Sequence, residues 1–106
     1  MSRTAFAVSE ESAPRELTRL RDAIDRVDEV IVRLLNQRAR YAVEAGEVKG
    51  ILSLPIYVPE REKEVLTNVE SWSDGPLAPS AVRRLFERII DESRRVEREA
   101  AERGTR

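Results

Sequence analysis

Residues 17–50, LTRLRDAIDRVDEVIVRLLNQRARYAVEAGEVKG, decide the fold. Leu17, Leu20, Ile24, Val27, Ile31 and Leu34 recur at spacings of three and four, which places them on one stripe of a helix. Neither glycine nor proline interrupts this stretch before Gly46, so one helix is expected from about Pro14 to about Gly50 or slightly beyond. At ~1.5 Å per residue, a rod of about 35 residues is roughly 52 Å long. A compact monomer of this size would have a radius of gyration near ~13 Å, so the rod overshoots its own globule. Pairing with a second copy is the simplest cover for the rest of the stripe.

On the N-terminal side, MSRTAFAVSEESA (1–13) lacks sustained periodicity and reads as a disordered tail. On the C-terminal side, LPIYVP (54–59) reads as an extended link, because the residue before each proline is steered out of helical geometry. Pro59 suits the first turn of a second helix, and the acids of EREKEVLTNVE near its start suit the helix dipole. SWSDGPLAP (71–79) reads as a turn. A third helix is expected from Pro79 or Ser80 to about Glu99, its apolar face formed by Val82, Leu85, Phe86, Ile89, Ile90 and Val96. The expected domain spans 14–100, with a frayed end at 101–106. The fold class is therefore all-α, with three helices per chain, one very long, in a homodimer.

Composition narrows the chemistry. The chain has 106 residues with no His and no Cys, which excludes disulfides, thiol nucleophiles, Ser–His triads and most zinc sites. Nineteen Lys+Arg against twenty Asp+Glu leave a net charge of −1, so neither nucleic acid nor an anionic membrane is expected as a partner. No apolar run is long enough for a membrane span or a signal peptide, and a cytoplasmic protein is expected. Any reaction must draw on Arg, Lys, Glu, Asp, Ser or Tyr.

Several of those residues stand where apolar ones belong. Continuing the first helix's heptad beyond Leu34 brings Arg38 into a core position, and Lys49, eleven residues on, returns to nearly the same face. Between them lie Ala42, Ala45 and Gly46, a small-residue floor with a cation at each end. Two long basic side chains folded over such a trough could hold an anion. The same pattern also fits edge cations whose stems snorkel beside closely packed helices. In the second helix Glu62 lies on the face of Val65, Leu66 and Val69, with Arg61 beside it. In the third, Ser93 interrupts the apolar stripe and Glu97 follows one turn later. Ser93 could bond back to its own helix and Glu97 could be solvated. Yet local rules broken together on three helices are what a functional site produces.

Through these residues the chain resembles the all-helical (AroQ-type) class of chorismate mutases. LRDAIDRVDEVIVRLLNQRARYAVEAGEVKG, PIYVPEREKEVL and VRRLFERIIDESRRVE look like that family's three helices, and the similarity covers about residues 17–97. The joint pattern is specific: LR..ID.VD, an Arg and a Lys eleven apart around A..AG, then P.RE, then II..S.

The resemblance implies an intertwined homodimer that rearranges chorismate to prephenate by an intramolecular [3,3] shift, with no cofactor and no metal. Arg38 and Arg61 of one subunit, and Arg21 supplied across the interface, would bind two carboxylates. Lys49 would reach a carboxylate and the ether oxygen, Glu62 the ring 4-hydroxyl, Ser93 a carboxylate, and Glu97 the ether oxygen. Arg21 precedes Arg38 by 17 residues and lies some 100° off that face, in keeping with a role in the other pocket. Val58 stands where some members have Asp, at little cost if the contact is made by the backbone amide. Glu97 stands where several bacterial members have Gln, and only a protonated carboxyl can donate to the ether oxygen.

A pericyclic shift needs no nucleophile, so the missing His and Cys are no handicap. The protein has to hold a dianion in its reactive conformer and stabilise charge developing on one oxygen. Two other enzymes would suit the same scaffold: a mutase for 4-amino-4-deoxychorismate, and an isochorismate pyruvate-lyase, which Glu62 disfavours. A non-catalytic helical dimerisation or regulatory module would tolerate apolar residues at 38, 49 and 61, where this chain has cations.

Overall fold

The computed structural model describes residues 8–104. It contains three helices, α1 (Ala13–Ile51), α2 (Pro59–Trp72) and α3 (Pro79–Gly104), and no strand among the described residues. The chain divides into two units between Leu34 and Leu35, within α1.

In the first unit, α1 starts from a turn in which Ser9 and Ser12 cap each other. The Ser12 amide donates to Ser9 Oγ at 3.1 Å and the Ser9 amide to Ser12 Oγ at 3.2 Å. This is capping-box logic with a second serine in place of the usual Glu. Pro14 follows in the first turn, where a missing N–H costs nothing. Residues 1–7 of the expected tail lie outside the described residues, while Ser9–Ser12 form this hydrogen-bonded turn. The stripe from Leu17 to Leu34 is 43–57% exposed at each of its six members, and no residue of α1 is buried within the chain.

In the second unit, α1 ends at Ile51 in a Schellman motif. Ser53 adopts a left-handed φ of 59°, the Leu54 amide donates to the Lys49 carbonyl at 2.8 Å, and the Ser53 amide to the Gly50 carbonyl at 3.2 Å. The stop thus comes just past Gly50, and a serine rather than a glycine takes the strained position. Val58 is extended (φ −126°), as a residue before proline must be, and Pro59 opens α2.

Helices α2 and α3 pack on one another around Leu66, Val69 and Ile90, the buried apolar side chains among the described residues. Arg83 of α3 reaches Glu70 of α2 at 3.2 Å. The link between these helices turns at Gly75, whose φ of +102° suits a residue without a Cβ. Two expectations for α3 change. It continues to Gly104 rather than stopping near Glu99, so 101–104 are helical while 105–106 lie outside the described residues. Leu85, expected on its apolar face, is 56% exposed. No helix among the described residues is long and apolar enough to cross a membrane.

Candidate active site

On α3, Ile90, Ser93 and Glu97 are the buried residues, spaced three and four apart along one face. Two of the three are polar, and each has a cation from the C-terminal half of α1. Arg38 Nη1 donates to Ser93 Oγ at 2.8 Å. Lys49 Nζ donates to Glu97 Oε2 at 2.9 Å and to the Ile56 carbonyl at 2.8 Å. Ser93 therefore has a partner outside its own helix, and Glu97 is paired rather than solvated. The trough read from Arg38 to Lys49 has these two acceptors standing over it.

Lys49 is placed from both ends. Its carbonyl anchors the Schellman turn, and its ammonium is tied to the link that this turn launches. Two of the ammonium's three donors are used in these bonds, leaving one for a ligand. Gly46 lies under Glu97: a Cβ there would stand 2.7 Å from Glu97 Cγ. The lack of a side chain at 46 is what lets the carboxylate settle against α1.

Burial pushes the Arg38 guanidinium down from the ordinary arginine pKa, and the like charge of Arg61 pushes it further. Arg61 is exposed and paired with Glu64 one turn along α2. Two guanidinium groups thus lie close enough to repel, one of them partly desolvated, and an anion bound between them would relieve both effects. Val58 contributes backbone here, its carbonyl accepting from the Glu62 amide at 3.2 Å. Arg21, exposed on the first unit, is not among the residues that these contacts bring together.

Glu62 is held by a residue that sequence reading did not single out. Arg94 donates through Nε to Oε2 at 3.0 Å and through Nη2 to Oε1 at 2.7 Å. Its guanidinium also lies 4.8 Å over the Tyr57 ring. Arg94 follows Ile90 by four residues and so flanks the buried stripe, but in SRRVER it looks like one more solvated cation. No group of acidic residues among those described could hold a metal ion.

The pattern of Chorismate mutase type II matches residues 20–98, about three quarters of the chain and all of the segments that carry the polar face. The chain belongs to this family. The bifunctional chorismate mutase/prephenate dehydratase of Neisseria gonorrhoeae is 45% identical over 78 residues, which are 74% of this chain and 21% of that protein. The chorismate mutase of Methanocaldococcus jannaschii is 35% identical over 54 residues, 51% of this chain and 54% of that one. The chain thus spans about a fifth of the length of the bifunctional relatives it matches. Among solved structures, the chorismate mutase of Thermus thermophilus (form II) aligns with a TM-score of 0.76 at 36% identity, covering 78% of this chain and 94% of that one. The Helicobacter pylori chorismate mutase in complex with prephenate also aligns at 0.76, with 26% identity, covering 83% and 96%.

Proposed function

We propose that the chain is a chorismate mutase, an isomerase that converts chorismate to prephenate. The observation that carries this reading is the pairing of two α1 cations with two buried polar groups of α3, Arg38 with Ser93 and Lys49 with Glu97. In the rearrangement the ether C–O bond breaks as the new C–C bond forms, and no atom or proton enters or leaves. Two carboxylates must be held so that the enolpyruvyl arm lies over the ring, and negative charge builds on the ether oxygen as the C–O bond lengthens. Arg38 and Arg61 take the carboxylates, with Ser93 orienting Arg38 and sharing a carboxylate oxygen. Lys49 uses its remaining donor on the substrate, at a carboxylate and the ether oxygen. Glu97 faces the same oxygen. Glu62 accepts from the ring hydroxyl, and the backbone at Val58 completes the wall.

The functional unit is a homodimer with intertwined α1 helices, and Arg21 of each subunit enters the other's site. The half-exposed stripe from Leu17 to Leu34 supports this, since apolar area of that extent calls for a cover of like length. The reaction needs no cofactor, and the setting proposed is the cytoplasm. The test is direct: purified protein is given chorismate, and loss of its absorbance is followed together with the acid-catalysed conversion of the product to phenylpyruvate. Turnover far above the spontaneous rate is expected, and its absence from a folded dimer would overturn the reading.

A further inference from the structure

Glu62 is not a free carboxylate. Both of its oxygens accept from the single Arg94 guanidinium, through Nε at 3.0 Å and through Nη2 at 2.7 and 2.8 Å. Both partners are about three-quarters buried at their side chains. Hydrogen bonding to Glu62 holds the guanidinium above its ordinary pKa, so Arg94 stays a cation beside the carboxylate. Arg94 is fixed further by the Tyr57 ring beneath it, which ties the pair to the link before α2. Asp91, 3.5 Å from Arg94, is 59% exposed at its side chain, so solvent screens most of its charge. Glu87, on the same side of α3, leans toward Arg83 at 3.7 Å.

A carboxylate in such a pair keeps lone pairs for a hydroxyl donor, since its two oxygens offer about four acceptor directions. What it has lost is net negative charge. A neutral hydroxyl at the ring carbon loses little by this, whereas an ammonium there would meet a guanidinium as near neighbour and find its counter-charge already taken.

We propose that Arg94, through its pairing with Glu62, makes the site selective for a ring hydroxyl over a ring ammonium at C4. The preferred substrate is then chorismate rather than its 4-amino-4-deoxy analogue. This rests on the chorismate mutase reading and on Glu62 meeting the C4 substituent. Arg94 acts through Glu62 and is a positioning residue.

The experiment compares kcat/KM for chorismate and for the 4-amino analogue in the wild type, Arg94→Met and Arg94→Gln, with folding checked by circular dichroism. Gln keeps an uncharged donor for Glu62 should Met disturb the helix. Freeing Glu62 is expected to move the hydroxyl-to-amine ratio toward the amine by about tenfold or more in both variants. A purely structural role would lower both substrates together. A ratio unchanged within twofold in a folded variant, or moved further toward the hydroxyl, overturns the inference and leaves the chorismate mutase reading standing. Failure of the wild type to turn over chorismate at all would instead remove the reading beneath it.

Discussion

Gly46 and Glu97 approach so closely that a single methyl group on Gly46 would stand 2.7 Å from Glu97 Cγ and 3.2 Å from Oε2. The contact is with the carbon near the root of the side chain, which cannot swing aside as a tip could. Gly46 lies inside α1, where alanine suits the backbone better than glycine by ~1 kcal/mol. The glycine is thus worse for the helix and better for the carboxylate.

The first prediction follows from that conflict. Gly46→Ala should leave thermal stability within about 1 kcal/mol of the wild type, since helix propensity and the clash oppose each other. It should lower kcat by about tenfold to a hundredfold by displacing Glu97, with KM little changed. Unaltered kcat in Gly46→Ala would show that Glu97 does not need its present position.

Lys49→Ala tests the other end of the ion pair. Removing the ammonium takes away the donor proposed for the ether oxygen and should cost about 10²–10³ in kcat. It also strands Glu97, only 7% exposed at its side chain, so stability at neutral pH should fall by roughly 2–4 kcal/mol. The sign with pH is defined: protonation of the stranded carboxyl relieves the loss, so the deficit should shrink as pH falls. Adding Glu97→Gln to Lys49→Ala should restore much of the stability and none of the turnover. Equilibrium unfolding at pH 5 and pH 8 checks both statements.

Ser53 offers a test of the fold alone. It holds φ at 59°, a region that costs an L-residue roughly 1 kcal/mol and glycine little. Ser53→Gly should therefore stabilise the protein by up to about 0.5 kcal/mol after allowing for glycine's greater freedom when unfolded. The melting temperature should rise by a few degrees with activity intact.

Assembly is tested by mass and by complementation. Light scattering should give the mass of a dimer down to low protein concentration; a folded, active monomer would refute the cover proposed for the Leu17–Leu34 stripe. If Arg21 serves the partner's site, mixing inactive Arg21→Ala with inactive Arg38→Ala should regenerate one working site per mixed dimer. No regain after proven subunit exchange would confine Arg21 to its own chain.

The periodicity from Leu17 to Leu34 and the prolines at 55, 59 and 79 made the three helices legible, because both signals act locally. Arg38, Lys49, Ser93 and Glu97 stood out as breaks in apolar stripes, and α1 and α3 do bring them together in pairs. What could not be read were relations across long sequence separation. Arg94 reaches 32 residues back to Glu62, and Gly46 matters because of a side chain 51 residues further along. The end of α3 was misplaced for a different reason: REAAERG has no breaker before its glycine, so the helix runs until one comes.

The last prediction concerns Glu97. In the ligand-free chain it accepts from Lys49, the role of a carboxylate. To stabilise charge on the ether oxygen it must donate, and only the neutral acid can. A bound dianion both draws Lys49 toward itself and disfavours a second negative charge beside it, so substrate binding should bring a proton to Glu97. The sign follows: activity that depends on neutral Glu97 is present at low pH and lost as pH rises and the proton becomes harder to take up. For the wild type, kcat/KM should fall as pH rises. Glu97→Gln, whose amide donates at any pH, should hold its activity into the alkaline range. The check is a pair of profiles from pH 5 to 9 on folded protein. A flat wild-type profile, left unchanged by the glutamine, would mean that Lys49 serves the ether oxygen alone.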